Sequence, residues 1–114
     1  MGKSPSAPGD LVPGTLELLI LKTLSIEPMH GYGVAQHIKK VSAEVLRIEE
    51  GSLYPALQRL LVKGLVTAEW GQTENNRRAR YYRLTAAGRE RLGIEEAGFF
   101  EQFGAIRRVL RSGS

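Results

Sequence analysis

The chain contains no cysteine and only two histidines, His30 and His37. Missing thiols exclude a disulfide framework, a thiolate zinc site and a cysteine nucleophile, and they fit a reducing cytoplasm. Neither histidine has a carboxylate or serine at the spacing of a triad or a metal site. His30 reads instead as a structural residue near a helix start. Glu49 and Glu50 are adjacent, so their side chains point apart and suit the positive end of a helix better than an acid pair. Gly31 and Gly33 lack the lysine and serine that would follow in a phosphate-cradling loop. No apolar run approaches the roughly 18 residues that span a bilayer, and residues 1–9 lack the apolar core of a signal peptide. The expectation is a cytoplasmic protein that is not an enzyme, with no metal, no cofactor and no membrane partner.

What is present is enough for a core: 114 residues, 42% of them apolar and 25% charged, which suits one compact domain or one domain plus a single added element. The net charge of +4 is modest but unevenly spread. From Arg77 to Arg91 there are six arginines (Arg77, Arg78, Arg80, Arg83, Arg89, Arg91) against one acid, Glu90. Such an excess attracts polyanions, nucleic acid or an acidic membrane surface, although a solvated face can look the same.

Residues 1–14 hold three of the five prolines and read as a flexible arm. Thr15 to Ile26 reads as a first helix, with Thr15 as N-cap and Pro28 as the stop. Its leucines Leu18 and Leu21 put apolar surface outside the main face, so more than one neighbour must cover it. A second helix opens in Met29 to Gly33 and runs to about Ser42, with Val34, Ala35, Ile38 and Val41 at core spacing. Ala43 to Ile48 reads as a short strand. A third helix starts between Glu49 and Ser52 and runs to Lys63, with Gly64 closing it. The period then changes to two: Leu65 to Trp70 and Arg80 to Leu84 read as strands around a polar loop, residues 71–78, making a β-hairpin with a basic tip. From Thr85, as N-cap, a last helix runs to about Leu110.

At helical spacing, Leu53, Leu57, Leu60 and Leu61 face the core. The opposite side of the third helix presents Ser52, Pro55, Gln58, Arg59, Val62 and Lys63, with Tyr54 on the flank. These hydroxyl, amide and cationic groups match base edges and phosphates of a major groove. Pro55 falls in the opening turns, where a missing N–H costs little. Hairpin tip residues Asn76, Arg77, Arg78 and Arg80 suit a narrow minor groove or the phosphate backbone. Helix, turn, helix, hairpin and arginine tip in this order point to a winged helix-turn-helix and to double-stranded DNA. A winged helix used for protein contact would show an aliphatic or acidic third helix instead; Tyr81 and Tyr82 leave stacking on RNA open.

Several runs, His30-Gly31-Tyr32-Gly33, Glu50-Gly51-Ser52-Leu53-Tyr54-Pro55-Ala56-Leu57, Leu60 with Gly64-Leu65-Val66, and Arg80-Tyr81-Tyr82-Arg83-Leu84-Thr85 with Ala87-Gly88, together resemble the PadR family of bacterial transcriptional regulators. The resemblance extends from about Thr15 to Leu110. It implies a winged helix-turn-helix, a homodimer held through the last helix and repression of a nearby operon, and it is nearest to a subset encoded beside permease-like proteins. Many members have proline where this chain has Glu50, and two acids at that helix start repel phosphate while suiting the dipole.

In the last helix Leu92, Phe99, Phe103, Ile106 and Leu110 recur in a coiled-coil-like seam, with Glu96 filling one apolar position. With Leu18 and Leu21 of the first helix they form the expected dimer interface, though Phe99, Phe100 and Phe103 can also fold back onto their own domain. Gly93, Gly98 and Gly104 each cost about 1 kcal/mol in an exposed helix, so this helix needs a partner. The glycines among the aromatics either leave space for a small apolar effector or permit close helix approach. The expected architecture is mainly α with a small β-hairpin (α+β): an arm over residues 1–14, a winged helix-turn-helix over 15–85, a dimerisation helix over 86–111 and a tail over 112–114.

Overall fold

The computed structural model describes Leu11 and residues 14–113. The arm expected over residues 1–14 therefore lies outside the described residues, save Leu11 and Gly14, as does Ser114. Seven elements follow in order: α1 (Thr15–Leu24), β1 (Met29–His30), α2 (Gly31–Val41), α3 (Glu50–Val62), β2 (Val66–Gln72), β3 (Arg78–Leu84) and α4 (Ala86–Arg111). The expected α+β order of three helices, hairpin and closing helix is present.

α1 is entered through Gly14, not capped by Thr15. Gly14 sits at φ +93°, which only glycine adopts without strain, and its carbonyl accepts from the Leu18 N–H at 3.1 Å. Thr15 is thus already helical. α2 is capped by His30, whose Nδ1 accepts from the Gly33 N–H at 3.0 Å.

The strand expected over Ala43 to Ile48 does not form. α2 ends in a Schellman turn, with the Ala43 N–H bonded to the Lys40 carbonyl at 3.1 Å and the Glu44 N–H to that of Lys39 at 2.7 Å. Ser42 Oγ then accepts from the Leu46 N–H at 3.0 Å. Backbone donors that a strand would offer to a ladder are spent locally. This turn also ends the core face of α2 at Ile38, leaving Val41 exposed rather than in the core. The third strand is β1, just ahead of α2, paired antiparallel to β3 with Met29 opposite Tyr82 and His30 opposite Tyr81. The sheet order is β1-β3-β2.

One core joins all elements: Ile20, Leu21 and Leu24 of α1, Val34 and Ile38 of α2, Leu53, Ala56, Leu57 and Leu60 of α3, Val66, Tyr82 and Leu84 of the hairpin, and Leu92 of α4. Leu61, expected there, is half-buried at its edge. α3 ends in a second Schellman turn through Gly64 at φ +74°. Thr85 then ties three elements together: its hydroxyl donates to the Gly64 carbonyl at 2.8 Å and accepts from the Gly88 N–H at 2.9 Å. Gly88 starts α4 directly against the hairpin base, because any β-carbon there would collide with the Leu65 carbonyl oxygen.

Candidate nucleic-acid interface

α3 turns Leu53, Ala56, Leu57 and Leu60 inward, which at 100° per residue leaves Ser52, Pro55, Gln58 and Val62 on an exposed ridge. Pro55 lies at the sixth helical position, beyond the first turn, so its missing N–H removes a bond to the Gly51 carbonyl instead of an orphan donor. Glu49 is the N-cap of α3 without a side-chain hydrogen bond, and Glu50 is the first helical residue; both are exposed. Tyr54 leaves the ridge toward α2. Burial pushes its phenol above the ordinary value, with Glu50 and Tyr82 adding to the shift, so it stands as a neutral hydroxyl.

Arg59 and Lys63 occupy the other flank of α3 and are already engaged. Arg59 Nε lies 2.6 Å from Glu17 Oε2 and Lys63 Nζ 3.0 Å from Glu17 Oε1, so one α1 carboxylate bridges both cations. Burial works to raise the Glu17 carboxyl, but the two hydrogen bonds and the two positive charges outweigh it and hold the group below its usual range. Arg59 keeps its terminal guanidinium nitrogens free of this contact, and both cations remain about half exposed. Sequence reasoning missed Glu17, since its partners lie 42 and 46 residues away.

The wing owes its shape to register. Trp70 stands opposite Arg80 and Gln72 opposite Arg78, and strand alternation puts Arg78 and Arg80 on the same face as Tyr82 and Leu84. That face is covered by core near Leu84 and open toward the tip. The Arg78 guanidinium lies 4.6 Å from the Trp70 ring centroid, and that of Arg80 lies 5.8 Å from the Tyr82 ring. The tip is a tight turn: the Asn76 N–H donates to the Thr73 carbonyl and the Thr73 N–H to the Arg77 carbonyl, both at 2.9 Å. Asn76 takes φ +63°, a conformation asparagine tolerates better than most residues. On the other face Tyr81 bonds through its hydroxyl to the Gln72 carbonyl at 3.0 Å and meets the His30 ring edge-on at 5.2 Å.

Between wing and helices runs an open groove of about 1120 Å³, lined by Tyr32 and Tyr54 from one side and by Trp70, Arg77, Arg78 and Arg80 from the other, with Tyr82 between them. The structure thus brings Tyr54 together with the wing arginines, while Ser52, Pro55, Gln58, Arg59, Lys63 and Asn76 do not line this groove. Trp70 is a groove residue that the sequence reading passed over as a strand end. The available signal was its place: a large ring at the strand end beside the polar loop has no core to enter.

The seven residues expected at a dimer interface divide. Leu21 and Leu92, at 2% and 7% exposure, are consumed by the chain's own core, where α1 packs on α4, and leave nothing for a partner. Leu18 is half-buried against that core. Phe99, Phe103, Ile106 and Leu110 are exposed along one side of α4, with Phe99 and Phe103 stacked at 6.0 Å. Among the described residues no cluster of three or more metal-ligating side chains exists, and no helix is long and apolar enough to cross a membrane.

Fold and surface together define a winged helix-turn-helix protein. Residues 20–94 match the transcriptional regulator PadR-like family, and the chain belongs to that family. It is similar to a transcriptional regulator from Clostridium thermocellum, with 25% identity, a TM-score of 0.78 and coverage of 88% of this chain and 97% of that one. A PadR family transcription regulator from Clostridium difficile is 26% identical at a TM-score of 0.73, covering 85% of this chain and 99% of the other. An uncharacterized protein of Lysinibacillus sphaericus is 30% identical over 80 residues, 70% of this chain and 73% of that protein. An uncharacterized 37.1 kDa protein in a transposon of Streptomyces fradiae is 42% identical over 79 residues, and there the match spans 21% of the relative's length.

Proposed function

We propose that the chain represses transcription as a homodimer that grips a palindromic DNA duplex, with residues 15–85 as the DNA-binding unit and residues 86–111 as the dimerisation helix. The observation that carries this reading is the shared groove: Tyr54 of α3 and Arg77, Arg78 and Arg80 of the wing face one opening. A flank of α3 marked by Tyr54, facing a cationic finger across one opening, suits a major groove and the backbone beside it. Ser52 and Gln58 on the ridge supply hydroxyl and amide groups for base edges, and Pro55 an apolar patch for a thymine methyl. Arg59 and Lys63 reach phosphate from the flank set by Glu17, and Asn76 holds the tip turn.

The exposed stripe of Phe99, Phe103, Ile106 and Leu110 supports self-association. Burying each such side chain against a second copy contributes about 1.5 to 3 kcal/mol, and a two-fold pair places the two reading helices about 34 Å apart. A small apolar effector would bind against the same exposed rings. A cytoplasmic location follows from the function.

The test titrates the purified chain against its own upstream DNA and a scrambled duplex at two salt concentrations. Tighter binding to the upstream duplex is expected, and the double variant Arg77→Ala, Arg78→Ala should flatten the log–log salt slope by about two units. An unchanged slope would remove the wing from the DNA. Equal affinity for both duplexes at each salt would remove sequence reading.

A further inference from the structure

Trp70 is the chain's one tryptophan and is 60% exposed, on a protein whose other aromatic strand residues are tucked against neighbours. Cross-strand pairing with Arg80 places it on the groove side of the wing. There the Arg78 guanidinium rests over its ring at 4.6 Å. Among the described residues no carboxylate pairs with Arg78, whereas Arg47, Arg59 and Lys63 each hold one. No carboxylate among the described residues therefore directs this arginine; an indole face does. That difference matters for an anion-binding side chain. A carboxylate partner would occupy guanidinium N–H groups and cancel the charge, whereas a stacked ring occupies only the flat face and leaves the planar N–H edge and the full charge free.

We propose that Trp70 is a positioning residue for DNA binding, whose ring holds the Arg78 guanidinium on the groove side of the wing, opposite Tyr54, with its N–H edge turned out for a phosphate. The inference rests on the duplex-binding reading above and adds an aromatic residue that acts through a cation. It also explains why the indole stays in water: buried, it would draw Arg78 away from the open side.

The test is a double-mutant cycle on duplex affinity at fixed salt, using Trp70→Leu and Arg78→Ala alone and together, with Trp70→Phe as the conservative variant. Leucine keeps part of the apolar bulk without a π face, and at a site 60% exposed little of a loss from Trp70→Leu comes from missing packing. Trp70→Leu is expected to weaken binding by about two- to fivefold in the wild-type background, the worth of a cation over an exposed ring. In the Arg78→Ala background the same change should alter Kd by less than about twofold, and Trp70→Phe should retain most of the affinity. Intrinsic emission of the wild-type protein should change saturably with added duplex. Equal losses in both backgrounds, or no loss in either, would overturn the role of Trp70 while leaving wing binding intact. Absence of any salt-dependent duplex binding by the wild-type chain would overturn the functional reading and this inference with it.

Discussion

The Tyr54 ring lies so close to Gly31 that a β-carbon on Gly31 would stand 2.7 Å from Cε1 and 2.8 Å from the hydroxyl oxygen. The start of α2 and the start of α3 are thus in direct contact through a side chain and a bare backbone. Gly31→Ala should push the ring outward into the groove, at a cost of up to about 1 kcal/mol, below that of core overpacking because Tyr54 is 43% exposed and its ring can swing. Denaturant midpoints measure the loss, and duplex affinity should fall with it because the displaced ring narrows the opening to the wing.

Glu17→Gln should weaken the joint between α1 and α3. Since the folded protein holds this carboxyl below its usual range, the contribution is complete above the ordinary carboxylate pKa of about 4.3 and is lost as pH falls through the depressed folded value. Wild type should therefore exceed the variant in stability by roughly 0.5 to 1 kcal/mol at neutral pH, a figure kept small by solvent around the half-exposed cations. Urea unfolding at pH 7 and at pH 3 checks the sign: the gap closes in acid. A gap that persists at pH 3 means the bridge is not its source.

Ala43→Gly should stabilise the chain. Ala43 occupies the left-handed position of the Schellman turn that ends α2, at φ +54°, the place where glycine is usual. Relief of that strain is worth about 1 to 2 kcal/mol, partly offset by the extra freedom glycine gives the unfolded chain. A rise of roughly 0.5 to 1 kcal/mol in unfolding free energy is expected, while Gly64→Ala, at the matching position after α3, should lower it by a similar amount.

Phe103→Glu should disrupt self-association without disturbing the domain, since Phe103 is 49% exposed and lies away from the core. Sedimentation should show a dimer in the wild type and a monomer in the variant, with near-unchanged circular dichroism over the winged portion. A variant that remains dimeric places the interface elsewhere.

The α3 register and the hairpin were legible because each repeats one period over many residues: Leu53, Leu57 and Leu60 at helical spacing, then Val66, Ala68 and Trp70 in alternation. β1 was not, since Met29 and His30 are too few to show a period and are strand only by virtue of Tyr81 and Tyr82 beside them. The opposite error arose at Val45, Leu46 and Ile48, whose β-prone composition was overruled by the turn that Ser42, Ala43 and Glu44 build. At the candidate site, Arg77, Arg78 and Arg80 could be assigned to one hairpin from their position alone. Which face each would share, and that Trp70 and Tyr54 would join them, depended on strand register and on packing of α3 against α2. Leu21 and Leu92 looked available for a partner because a surplus of apolar positions in two helices does not say whether they meet each other or a second copy.

The bare backbone at Gly88 has a mechanical corollary. α4 is 26 residues long, hence about 39 Å, so tilting it by one degree about its root carries the far end through about 0.7 Å. With no side chain to cushion the contact with Leu65, that root behaves as a stiff hinge-pin shared with the hairpin. If α4 pairs two copies as proposed, sub-ångström misfits between them are thereby geared down to a fraction of a degree at the finger.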